Sequence, residues 1–120
     1  MKKLLLVLSV IAMLSLLAAP ALAAGDMTCD HSGTTIQSLH HCVMHASDMA
    51  HIDNKGVAKS LMAKLDGAQA ALDRGQTRVA INKLNAFINE VNAQSGKHIA
   101  SDHAGMLVEH ANKVIAALGG

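Results

Sequence analysis

The stretch from Leu39 to His51, "LHHCVMHASDMAH", gathers His40, His41, His45 and His51, with Cys42, Met44 and Met49 among them. That is half of the chain's eight histidines and one of its two cysteines. Imidazole, thiolate and thioether groups are ligands for borderline and soft metals, so the chemistry on offer is copper or zinc binding. On a helix each residue turns by about 100°. With Val43 centred on the buried face, His41 and His45 fall together on the exposed side. Their four-residue spacing lets two imidazoles chelate one ion. A structural zinc takes four protein ligands and a catalytic zinc three, so this pair needs partners. His103 and His110 share a flank two turns apart near the end of the chain. An antiparallel neighbouring helix would set His110 level with Cys42 and His103 near Met49. The candidate metal set is therefore His41, His45, His103 and His110.

The same residues have a structural reading that needs no cofactor. A histidine pair at this spacing is a solvated polar face. Flank histidines such as His40 and His103 fill interhelical edges. Met44, Met49, Met62 and Met106 serve as core filler. A third reading is a pH response, because eight imidazoles titrating near the ordinary value would turn the surface positive in acid.

Other chemistries lack their residues. There is no H-E-x-x-H string for a zincin helix, no C-x-x-C-H for haem attachment and no G-x-S-x-G elbow. The acidic residues form no pair placed for acid/base work. The expectation is a non-enzymatic protein. With no Trp or Tyr and a single Phe, it also lacks stacking platforms for sugars or bases.

The elements that must position these residues begin after an address. Lys2 and Lys3 precede the apolar run Leu4 to Ala19, and Ala21-Leu22-Ala23 offers small residues for cleavage. This is the pattern of a signal peptide over residues 1–23. It implies export to the periplasm or the cell exterior, with no membrane anchor after cleavage. The whole chain has ten Lys+Arg and nine Asp+Glu; without Lys2 and Lys3, eight bases face nine acids. No basic stripe remains, which excludes nucleic acid as a natural partner. In an oxidising compartment Cys29 and Cys42 are most simply a disulfide. Closing that loop is worth about 3 kcal/mol and would tether residues 24–33 to the first helix. Two reduced thiols held for a metal are the alternative.

Residues 34–120 carry four stretches of helical periodicity and no period-two alternation. The first spans 35–51, with Thr34 and Gln37 as a capping box and Ile36, Leu39, Val43, Ala46 and Ala50 as its apolar stripe. The second spans 55–73 behind Asp53 or Asn54 and stops at Arg74-Gly75. The third spans 77–94, buries Ala80, Ile81, Leu84, Phe87, Ile88 and Val91, and stops at Ser95-Gly96. The fourth spans 101–118, with Ser101 as cap and Asp102 in the first turn. Short connections make them antiparallel neighbours. The expected fold is all-α, a small antiparallel four-helix bundle.

From Ser60 to Ile99 the chain reads "SLMAKLDGAQAALDRGQTRVAINKLNAFINEVNAQSGKHI". Leu65, Ala68, Ala71, Leu72 and Gly75, then "INKLNAFINEV" and "AQSGKHI", resemble the FIMAH-type domain of secreted bacterial and archaeal proteins. The resemblance runs through the last helix to Leu118 and places a FIMAH-like unit at 55–118. It implies a small all-helical module, often appended to larger exported proteins, and carries no catalytic residue or ligand with it. On this reading the chain is an accessory or interaction module for a protein or envelope partner. The His/Cys-rich first helix stands in front of the shared part, and any special function belongs there.

Overall fold

A computed structural model describes residues 29–120. Residues 1–23, expected to be a signal peptide, and residues 24–28 of the expected tethered segment lie outside the described residues. Four helices follow one another: α1 (Ile36–Asp48), α2 (Lys55–Asp73), α3 (Thr77–Gln94) and α4 (Ser101–Ala117). Each packs on the next, and α4 closes back onto α1. The expected all-α bundle is what forms, with no strand among the described residues.

α1 starts one residue later than its sequence suggests. Thr35 holds the extended backbone, so Thr35 and Ser38 make the capping box expected of Thr34 and Gln37. The Thr35 hydroxyl accepts from the Ser38 N–H at 3.1 Å, and the Ser38 hydroxyl accepts from the Thr35 N–H at 3.4 Å. Two of the orphan donors of the first turn are thereby satisfied.

The helix also ends early, at Asp48. Ala50 takes a left-handed conformation with φ 62° and is exposed, so it does not belong to the buried stripe. The gain is Ile52. Its N–H donates to the Ala46 carbonyl at 3.1 Å, and its side chain is 3% exposed. Burying an isoleucine is worth about 1.5–3 kcal/mol, which exceeds the roughly 1–2 kcal/mol of one non-glycine left-handed residue. Ile52 meets Ile99 in an isolated antiparallel bridge, with Asp53 N–H on the His98 carbonyl and Ala100 N–H on the His51 carbonyl. The α1–α2 and α3–α4 connections are thus stitched together at one end of the bundle.

Asn54 caps α2, its side-chain oxygen accepting from the Val57 N–H at 3.0 Å. Gly75 and Gly96, both with positive φ, turn the chain after α2 and α3. Ser101 is the first residue of α4 rather than its cap; Ala100 precedes it without a side-chain cap bond. The bond from Ala100 to His51 fixes the chain there and sets where the helix begins.

The core is aliphatic around one ring. Leu39, Val43, Leu61, Leu65, Leu84, Phe87, Val91, Leu107 and Val114 are all buried. Ala58, Ala68, Ala71, Ala80, Ala104 and Ala111 lie among them and let the backbones approach. Ile81 and Ile88 flank the α3 face and are only half-buried. Of the four methionines expected as core filler, Met62 packs half-buried against the core, whereas Met44, Met49 and Met106 are exposed. No helix among the described residues is long and apolar enough to cross a membrane.

Candidate metal centre

The seam between α1 and α4 holds the densest ligand chemistry. Cys29, in the segment before α1, is joined by a disulfide to Cys42 on the buried face of α1, with Cα atoms 5.1 Å apart. His31 follows Cys29 by two residues, and His110 comes across from the middle of α4. One ligand atom from each of Cys29, His31, Cys42 and His110 lies within 4.8 Å of all the others. His110 is 0% exposed and is the one buried polar side chain among the described residues. The His31 and His110 rings meet edge to face, with centroids 5.5 Å apart.

Hydrogen bonding around His110 favours one tautomer. The Ser38 hydroxyl donates its single hydrogen to the Thr35 carbonyl at 2.8 Å. Toward His110 Nε2, 3.0 Å away, the same oxygen must therefore accept. Nε2 carries the hydrogen, and Nδ1 is left as a bare lone pair. That Nδ1 is buried without a partner, and so is Nδ1 of His31. Buried polar atoms are nearly always paired, so two orphans in one cluster need an explanation.

The electrostatics keep both rings in the ligand form. Burial pushes His110 below the ordinary imidazole value, and the neighbouring positive charges of His31 and Lys113 add to this; the Gly33 backbone and Asp30 oppose it. Burial also lowers His31, with His103 and Lys113 adding and Asp30 and Glu109 opposing. Both are neutral at pH 7, the state in which imidazole binds metal. Asp30, whose carboxylate is held low by hydrogen bonds from Ser32, stays ionised beside them.

Beside the cluster is a cavity of about 200 Å³, lined by Cys29, His31, Cys42, His45, His103 and Met106 among others. The sequence-derived set thus divides. His110 is inside the cluster, while His45 and His103 stand along its cavity. His103 is stacked on His51 at 3.5 Å between centroids, with Nδ1 3.3 Å from Asp102. His41 is exposed and lines a separate depression with Asp30, Gly33 and Ser38. The level assigned to His110 beside Cys42 is the observed one. His31 is absent from the sequence-derived set, while the staple expected of Cys29 and Cys42 is present. The one signal for it is the Cys29-Asp30-His31 spacing, which keeps a cysteine and an imidazole two residues apart.

A further cavity of about 260 Å³ lies between α1 and α2, lined by Ile36, Gln37, His40, Leu65, Asp66 and Gln69. Its one polar pairing, His40 Nε2 to Asp66 at 3.4 Å, bridges the two helices.

Comparison with known proteins adds a family. The FIMAH domain model matches residues 36–116. No curated protein and no solved structure matches the chain. The match begins at Ile36, so α1 is part of the shared unit and does not stand in front of it. Cys42 and His110 lie inside the matched region; Cys29 and His31 lie before it.

Proposed function

The chain belongs to the FIMAH domain family, and from that premise we propose that it is an exported, non-catalytic helical accessory module that binds a transition-metal ion at the α1/α4 seam. The observation that carries the reading is the pair of buried, unpartnered imidazole nitrogens of His31 and His110 beside two cysteine sulfurs. A purely structural histidine would be expected to have both ring nitrogens satisfied. The Ser38 contact to His110 Nε2 supports the same reading, since metal-binding histidines are commonly oriented by a hydrogen bond to the opposite nitrogen. Nitrogen and sulfur donors favour zinc or copper over magnesium or calcium.

Export is supported by the signal-peptide pattern and by the disulfide, which suits an oxidising compartment. The rest of the bundle is the frame that holds two ligand-bearing helices in register, and it serves a protein or envelope partner through its outer faces.

The test is the intact mass of the untagged exported form under native conditions, with its thiols oxidised and with them reduced, each after exposure to Zn²⁺ or Cu²⁺. One ion per chain in at least one state, lost in His110→Ala, is the expected result. No stoichiometric ion in either state overturns metal binding and leaves an interaction module alone.

A further inference from the structure

Resting on that reading, we propose that the Cys29–Cys42 disulfide and a bound zinc ion are alternative occupants of one position, so that reduction of the disulfide creates a Cys₂His₂ zinc site from Cys29, His31, Cys42 and His110.

The donor set is the first argument. Two cysteines and two histidines make the complete ligand complement of a closed, four-coordinate structural zinc. In the disulfide form neither sulfur carries a negative charge, and only the two imidazoles remain as strong donors. The metal and the S–S bond therefore compete for the same sulfur electron pairs.

Geometry is the second. With zinc–sulfur and zinc–nitrogen bonds near 2.3 and 2.0 Å, tetrahedral ligands sit roughly 3.3–3.8 Å from one another. The four donor atoms already lie within 4.8 Å of each other across three separate parts of the chain. Opening the disulfide lets the sulfurs part while the nitrogens close in by about 1 Å. Cys29 and His31 sit on the short segment before α1, outside the helical frame, which can take up that movement without repacking α1 on α4.

Charge is the third. Two thiolates and one Zn²⁺ sum to zero. A neutral centre suits a site where one imidazole is fully buried and Cys42 is 2% exposed, because an uncompensated buried charge is costly. The remaining faces are in keeping with this. Lys113 reaches the His31 carbonyl at 3.4 Å and pairs with Glu109 at 3.2 Å, so the local cation is already matched. The orientation of His110 is set beforehand by Ser38.

The chemistry balances with a dithiol as reductant. The S–S bond accepts two electrons and two protons from the dithiol, which closes its own disulfide, and Cys29 and Cys42 become thiols. One Zn²⁺ then displaces two protons and binds two thiolates and two neutral imidazoles. Oxidation reverses the sequence and expels the ion.

The experiment compares the untagged exported form, air-oxidised and dithiol-reduced, in competition titrations of Zn²⁺ against a chromophoric chelator. Co²⁺ serves as a spectroscopic stand-in. The expected result is at least hundredfold tighter zinc binding in the reduced form, with intense near-ultraviolet thiolate-to-cobalt bands and tetrahedral visible bands. The thiolate bands should weaken in Cys29→Ser, which leaves Cys42 as the one sulfur donor, and the tetrahedral visible bands should weaken in His31→Ala. Cys29→Ser reports even if Cys42→Ser fails to fold, since Cys29 is only half-buried. Equal affinity in both redox states, or cobalt bound without thiolate bands, overturns the competition but leaves an imidazole site intact. No ion bound in either state overturns both readings.

Discussion

Of the helix seams that hold polar side chains, α2/α3 and α1/α4 treat them in opposite ways. Between α2 and α3, Ser60, Lys64 and Glu90 close on one another. The Ser60 hydroxyl donates to Glu90 at 2.7 Å, and the Lys64 ammonium donates to Glu90 at 2.9 Å and to Ser60 at 3.1 Å. Between α1 and α4, His31 and His110 are brought into contact with a cysteine pair and each keeps one ring nitrogen without a partner. The first seam completes its own hydrogen bonds and needs nothing from outside. The second leaves one buried nitrogen on each of two rings without a partner. The difference lies in satisfaction rather than in composition, and substitutions can probe it directly.

The largest effect should come from the closed side. Phe87, fully buried on α3, is the chain's single aromatic side chain. Phe87→Ala is expected to cost about 3–5 kcal/mol by lost burial and cavity formation. Chemical denaturation should show this loss undiminished when zinc is added to the oxidised protein. A loss that zinc largely rescues would mean that the two seams are not separate.

Next comes the tether. The disulfide closes a separation of 13 residues, and its removal in Cys29→Ser is expected to cost about 3 kcal/mol. For a domain of this size that is a fall in Tm of roughly 12–24 °C. Differential scanning calorimetry checks it. A Tm within a few degrees of the parent would show that helix packing alone fixes the segment before α1. Smaller again, Glu90→Ala should cost about 1–2 kcal/mol, because it leaves the Ser60 hydroxyl and the Lys64 ammonium without their acceptor. Lys64→Ala in the Glu90→Ala background should then cost less than Lys64→Ala alone, and additive losses in a double-mutant cycle would contradict a closed triad.

Much of the frame was legible because helix period and stop signals are local. α2 and α3 begin and end where Asn54, Gly75 and Gly96 place them. The first and last helices were less legible at their ends because tertiary bonds decide them. The link from Ala100 to His51 and the burial of Ile52 against Ile99 pull the chain out of helix at Ala50 and fix the start of α4. The candidate cluster was legible only where helix geometry applies. Counting turns along two antiparallel helices set His110 beside Cys42. His31 lies in the segment before α1, where no periodicity predicts direction, and the tether at Cys29 and the contacts with Lys113 and His110 hold it at the seam. The i, i+4 spacing of His41 and His45 predicts one exposed pair, but only His41 is exposed and His45 is half-buried. The structure separates the two, His45 toward the cluster's cavity and His41 away from it.

The smallest predicted effect is a pH dependence peculiar to the α1/α4 seam. In the metal-free oxidised protein, burial holds the folded-state pKa of both His31 and His110 below the ordinary value. The unfolded chain therefore binds more protons than the folded one at mildly acidic pH, and stability rises with pH in that window. The contribution is fully present above about pH 6.5, the unfolded imidazole value. It is lost as pH falls below that value and through the lowered folded values. Urea midpoints measured from pH 7.5 downward should decline in the parent and decline less in His110→Gln. In the same series His41→Ala, on the exposed face of α1, should stay within about 0.5 kcal/mol of the parent at pH 7.5. If the parent and His110→Gln lose stability in parallel, the acid sensitivity arises outside the seam. A ligand that takes up both orphan nitrogens should steepen the same decline, because protons and the ion then compete for the lone pairs that folding leaves free.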